Sequence, residues 1–97
     1  MILESKVYEI SLKEECENGR DFVVHYFLLE DTSELSRNVS FYKYGVKLEK
    51  QFPGENISEC SYHPNIALTQ NDANDLICTL YHNAVTPITV ADILADL

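Results

Sequence analysis

The period of the hydrophobic pattern changes halfway along this chain, and that change restricts the fold more than any other feature. In residues 8–13 apolar and polar residues alternate strictly, which is typical of a half-buried strand. From Ala73 to Ala84 the apolar residues recur at helical spacing and form one stripe. Strands followed by helices predict an α+β fold.

The most apolar segment, residues 21–29, is apolar on both of its alternating faces. A strand of this kind is usually central in its sheet, with both faces covered. Asn18-Gly19 precedes it and predicts a hairpin turn, because a type I′ turn needs positive φ at both central residues. The pattern leaves open whether this loop has two residues or more. A polar loop is expected at residues 31–38.

Two more strands are expected after that loop. The third covers about residues 39–50, and Pro53-Gly54 then forms a turn. A weaker fourth strand runs from Ile57 to Tyr62, before Pro64 ends it. The strands lie within about residues 3–62 and predict an antiparallel three- to four-stranded meander sheet.

Two C-terminal helices follow, at about residues 70–84 and 90–97. Thr69 with Asp72, and Thr89 with Asp92, resemble helix N-caps with an acid three residues on. Pro87 separates the helices, since the residue before a proline avoids the α region. Each helix has one apolar stripe, so we expect both to pack on one face of the sheet. Residues 1–97 are interpreted as a single domain.

Composition limits the class of partner and the compartment. The formal charge is −9, from 16 acidic and 7 basic residues, so nucleic acid is not an expected partner, although Lys43, Lys47 and Lys50 could form a local basic patch. No apolar run approaches the ~20 residues of a membrane span, and no secretory signal is recognised. Three cysteines are an odd number and suggest reduced thiols in a cytoplasmic protein. No cofactor is predicted.

Cysteine and histidine pairs give the sharpest candidate for a chemical site. Cys60 with His63, and Cys78 with His82, have spacings that a tetrahedral zinc site can use. Neither pair contains the Cys-x2-Cys knuckle of specific zinc motifs, so the zinc site is an alternative to a small buried thiol and solvent-facing side chains. A Cys16–His25 pair across the hairpin would be the enzymatic alternative, but no third orienting group can be named for it.

The leading hypothesis concerns the face of the sheet that the helices leave free. That face would carry five residues as a surface for interaction: Val23, His25, Phe27, Leu29 and Phe41. Contiguous exposed apolar residues usually mark an interaction site. We therefore expect a non-enzymatic interaction or regulatory module with a protein partner, self-associating through this face as a homodimer or larger homo-oligomer.

Three segments resemble a known group of sequences. Residues 25–31 (HYFLLED), 44–48 (YGVKL) and 84–93 (AVTPITVADI) are similar to a family of small uncharacterised proteins from clostridia and related Gram-positive bacteria. The resemblance implies a strand-rich first half, a closing helix–VTP–helix segment and a bacterial cytosolic origin. It implies no activity and transfers no site residue. The loops near residues 31–38 and 53–64 are longer here than in the family pattern.

Overall fold

The structure, a computed structural model, describes residues 1–33 and 41–95. Four strands precede two helices: β1 (Ile2–Lys13), β2 (Asp21–Asp31), β3 (Tyr44–Gln51), β4 (Ile57–Ala67), α1 (Gln70–His82) and α2 (Pro87–Ala95). The strands form one antiparallel sheet in the order β1-β2-β3-β4, a meander. The predicted α+β fold class, with its meander sheet and two C-terminal helices, is confirmed.

β2 lies between β1 and β3, as its two-sided apolar pattern predicts. Side chains of a strand alternate between the two faces of a sheet. Phe22, Val24 and Tyr26 point towards the helices, and we call this side the inner face. Val23, His25, Phe27 and Leu29 therefore point to the opposite side, the outer face.

The hydrophobic core lies between the inner face and the two helices. Tyr26, Leu48 and Ile77 are inaccessible to solvent. The other buried members of the cluster come from the inner side of β2 and β3, the β3–β4 turn and the helical end: Phe22, Val24, Val46, Phe52, Leu80, Val85 and Val90. None of the described helices is both long and apolar enough to cross a membrane.

The turns between the strands show which predicted strand boundaries are correct. Pro53-Gly54 forms the expected turn, since Gly54 has φ +79° and Glu55 N–H donates to the Phe52 carbonyl. The β1–β2 connection is longer than a two-residue hairpin, because β1 ends at Lys13 and β2 begins at Asp21. The expected start of the third strand at Val39 lies outside the described residues, and β3 begins at Tyr44.

Pro64 does not end β4, which continues to Ala67. β4 is an edge strand, where a missing N–H is tolerated. The ladder is also irregular here, since the register shifts between Tyr44 and Val46 and Asn65 has φ +58°. Gly45 lies directly against the backbone of His63 and Pro64, where a Cβ would collide, so a glycine allows the strands to come this close.

The start of α2 also differs from the expectation. α2 begins at Pro87, not after a cap at Thr89. Proline suits the first helical position, because its N–H would have no partner there and its φ already fits. Thr69 does cap α1, because its hydroxyl accepts a hydrogen bond from the Asp72 N–H at 3.1 Å. The end expected for α2, residues 96–97, lies outside the described residues.

The corner between the helices is fixed to the sheet by one buried hydrogen bond. Tyr26 Oη donates to the Val85 carbonyl at 2.7 Å. The corner itself is a Schellman motif, in which the Val85 N–H donates to the Leu80 carbonyl and the Ala84 N–H donates to the Tyr81 carbonyl. Burial raises the pKa of Tyr26 to about 12. The neutral hydroxyl therefore holds the helical layer in place over β2.

Candidate functional site

The structure places four of the five predicted interaction residues together on the outer face of β2. Val23, His25 and Phe27 are half-buried there, and Leu29 is 1% exposed. Phe41 is half-buried but precedes β3 and belongs to no strand. The four residues are thus less exposed than a bare apolar surface would be, and the reason lies in the strands on either side.

Long charged side chains of β1 and β3 lie across this apolar row. The Lys47 ammonium group stands 5.1 Å from the centre of the Phe27 ring and 2.6 Å from Glu4 Oε1. It also lies 3.5 Å from Glu49 Oε2. The hydrogen bond to Glu4 is the main cause that raises the pKa of Lys47. Its stem shields the ring while its charge stays paired.

His25 occupies the middle of the outer face. Its Nε2 lies 3.2 Å from Gln51 Oε1, and its Nδ1 lies 3.0 Å from Glu9 Oε1 without the alignment of a good hydrogen bond. Gln51 is oriented by its own amide, which donates to the Glu55 carbonyl at 2.8 Å. Both ring nitrogens therefore face oxygen acceptors. These two contacts orient the ring.

Glu9 links His25 to the edge of the sheet. Lys6 Nζ donates to Glu9 Oε1 at 3.1 Å, and this bond is the main cause that holds the pKa of Glu9 below its usual value. The five charged side chains named around the apolar row are two lysines and three glutamates, and each lies within 4 Å of an opposite charge. These five side chains sum to −1, so the surroundings of the apolar row are nearly neutral, although the protein carries −9.

Sequence reasoning missed these neighbours of His25 and Phe27. Glu9, Lys47 and Gln51 reach the outer face only because the register pairs β1 and β3 with particular residues of β2. Register depends on the lengths of the connecting loops, and the Asn18-Gly19 signal left the length of one of them open. Alternation along each strand was the only available signal, and it fixes faces without fixing partners.

The predicted zinc residues are distributed over different parts of the fold. Cys60 lies on the outer side of β4 opposite Glu49, whereas Cys78 and His82 lie on α1, across the sheet from it. His63 is on the inner side of β4 and is hydrogen-bonded to the Ser61 hydroxyl. Within residues 1–33 and 41–95, no group of three or more histidine, cysteine or acidic side chains is placed to hold a metal ion. The geometry adds no support for the zinc alternative.

Cys16 and His25 are not brought together either. Cys16 is exposed in the β1–β2 loop and lines a cavity of about 750 Å³ that also contacts Phe22 and Val85 on the helix side. His25 points to the outer face and contacts Glu9 and Gln51 instead. The sheet separates the two side chains, so the structure provides no Cys–His pair there.

The three lysines of the suggested basic patch do not form one surface. Lys47 is on the outer face, whereas Lys50 lies over the Phe22 ring on the inner side at 4.4 Å. Lys43 lies 4.0 Å from Glu30 and Lys50 lies 3.7 Å from Glu59, so both have acidic neighbours. Cations that are already paired and divided between two faces offer little to a phosphate backbone.

Comparison with known proteins gives one match. A family model described as a family of unknown function, DUF6514, matches residues 5–97. No curated protein and no solved structure matches the chain. The resemblance to a family without assigned activity is confirmed in this form, and the clostridial origin stays a prediction.

Proposed function

Because the chain belongs to the DUF6514 family, which has no assigned function, we propose its role from its surface: a small non-enzymatic interaction module that self-associates through the outer face. One observation carries the proposal. The central strand is apolar on both sides, yet the described helices cover only the inner side. Phe27 and Val23 are half-buried on the outer face, which the described helices leave uncovered.

Charge favours a second copy as the occupant. Two molecules of −9 repel each other wherever their excess acid meets, and such like-charge contacts cost several kcal/mol in an interface. The outer face avoids this cost, since Lys47 and Lys6 neutralise the glutamates around Phe27. A twofold contact uses the same patch on both molecules, so a locally neutral, internally paired surface suits it.

The available area is also adequate. The molecule measures 50 × 27 × 17 Å along its principal axes, so its broad side spans 50 × 27 Å. Stable interfaces bury about 800 Å² on each partner. A large part of this broad side would have to be used, with Phe27 near the centre, where buried aromatic side chains contribute most of the binding energy.

The test is the mass of the protein in solution. Light scattering over a micromolar concentration series should give at least twice the 11.1 kDa of one chain. Phe27→Glu should lower the mass, because it removes the aromatic ring from the centre of the contact and adds one negative charge there, between Lys6 and Lys47 of the same chain. Ile88→Glu is the matched control, since Ile88 is 70% exposed on α2, away from the sheet. A wild-type protein that stays monomeric, or a Phe27→Glu variant of unchanged mass, would refute the proposal.

A further inference from the structure

β1 is an edge strand, so only one of its two backbone edges is paired in the described sheet. It pairs with β2 alone, and no other strand of the described chain lies beside it. All seven residues 3–9 are exposed. A strand of 12 residues that no second strand pairs with in the described part of the chain is a template for adding another strand.

An irregularity in β1 determines which strand can be added. Lys6 lies opposite Phe27 and Tyr8 lies opposite Tyr26, so Val7 is an extra residue, a bulge. The bulge reverses the alternation. Before Val7 the even-numbered residues such as Glu4 point to the outer face, and after it the odd-numbered ones such as Glu9 do so.

We propose that β1 pairs antiparallel with β1 of a second copy, with Ile2 of one chain opposite Lys13 of the other, joining two sheets into one of eight strands. In a paired sheet, residues that lie opposite each other on neighbouring strands point to the same face. Because the bulge reverses the alternation within β1, this holds only when the first half of one β1 lies opposite the second half of the other. In this register Leu3 meets Leu12 of the second copy on the inner face. Glu4 meets Ser11 of the second copy on the outer face. The register also uses the full length of the strand.

Charge selects the same register. Lys6 lies opposite Glu9 of the second copy, and the twofold axis repeats the pair. Each chain already holds Lys6 Nζ 3.1 Å from its own Glu9 Oε1, so four charges of alternating sign would meet at the centre. A slip by two residues in one direction sets Glu4 opposite Glu9 of the second copy, which is repulsive. A slip in the other direction sets Tyr8, an inner residue, opposite Glu9, an outer one.

Charged residues and bulges often protect an edge strand from pairing. Here both features are compatible with self-pairing, because the bulge aligns the faces and the charges complement themselves. The edge contact uses the backbone of β1 and forms without the outer-face contact. Lys6 also lies beside Phe27 on the outer face, so Lys6→Glu acts on both contacts, and amide protection along β1 distinguishes them.

A charge exchange tests the edge contact. Lys6→Glu sets two carboxylates opposite each other and should halve the mass measured by light scattering. The double variant Lys6→Glu/Glu9→Lys restores the complementary pairs and should recover the mass. Lys13→Glu is the control, because its side chain would lie opposite Ile2 and should leave the mass unchanged.

Two further outcomes separate this contact from the outer-face contact. In the wild-type assembly, hydrogen exchange should show protection both for the β1 amides that point towards β2 and for those that point away from it. In Lys6→Glu only the amides that point towards β2 should stay protected. Phe27→Glu should leave both sets of amides protected. A mass that responds to Phe27→Glu but not to Lys6→Glu, or a double variant that does not recover, would overturn the edge pairing. A response to Lys6→Glu alone, with recovery, would support it and refute the outer-face contact.

Discussion

The apolar side chains on the two faces of β2 are covered in different ways. On the inner face Val24 and Tyr26 are completely inaccessible, because two helices pack directly over them. On the outer face Val23 and Phe27 stay half-buried under the long charged side chains of neighbouring strands. The same strand thus contributes to a fixed core on one side and to an adaptable surface on the other.

This difference separates stability from interaction. A close-packed core responds to the loss of a single methylene, since the neighbours relax only in part. A surface held by ion pairs between partly exposed groups gains little stability from each pair, typically about 0–1 kcal/mol. The inner face should therefore dominate the free energy of unfolding, and the outer face should be free to exchange its ion pairs for a partner.

Adjacent residues of β3 provide the strongest test of this contrast. Leu48 points inwards and is inaccessible, so Leu48→Ala should lower the free energy of unfolding by about 2–5 kcal/mol. Lys47 points outwards beside it and is 15% exposed, so Lys47→Ala removes a charged hydrogen bond and should cost less, about 1–2 kcal/mol. Urea unfolding at neutral pH measures both. Equal losses for the two variants would contradict the division between a packed face and an adaptable one.

Alkaline pH should weaken the inner face through Tyr26. Its ordinary pKa of 10.0 rises to about 12 when folded, so the stability it contributes is complete below pH 10 and is lost as the pH rises to 12. The loss should be about 2 kcal/mol. Unfolding free energies of wild type and Tyr26→Phe should then converge over that range.

The variant also tests the hydrogen bond to the Val85 carbonyl. At neutral pH Tyr26→Phe leaves that carbonyl buried without its donor and should cost about 1–2 kcal/mol. Tyr62→Phe is the control, since Tyr62 is 47% exposed and its loss should change neither the neutral stability nor the alkaline slope. A Tyr26→Phe protein with the full alkaline loss would assign that loss to other groups.

The contrast between the faces also explains what the sequence could predict. Alternation in β2, the Thr69 cap and the Pro53-Gly54 turn are local signals, and each predicted its element correctly. The meander followed from them. The surroundings of His25 did not, because the register that brings Glu9 and Gln51 to it is a long-range property. The prediction that Pro64 ends β4 was wrong for a related reason. A proline is tolerated within a strand when that strand lies at the edge of the sheet, and the position of β4 in the sheet is also a long-range property.

The smallest expected effect concerns the corner that holds the helices over the inner face. Ala84 has φ +52° at the position of the Schellman motif where glycine is preferred, and a Cβ in this region is unfavourable. Ala84→Gly should raise the free energy of unfolding by about 0.5–1 kcal/mol, after the entropy that glycine adds to the unfolded chain. Asn83→Gly is the matched control, because Asn83 has φ −97° and should only lose stability. If Ala84→Gly destabilised as much as Asn83→Gly, the backbone conformation at residue 84 would not limit the free energy of unfolding. The larger contribution of the inner face to that free energy would then come from side-chain packing alone.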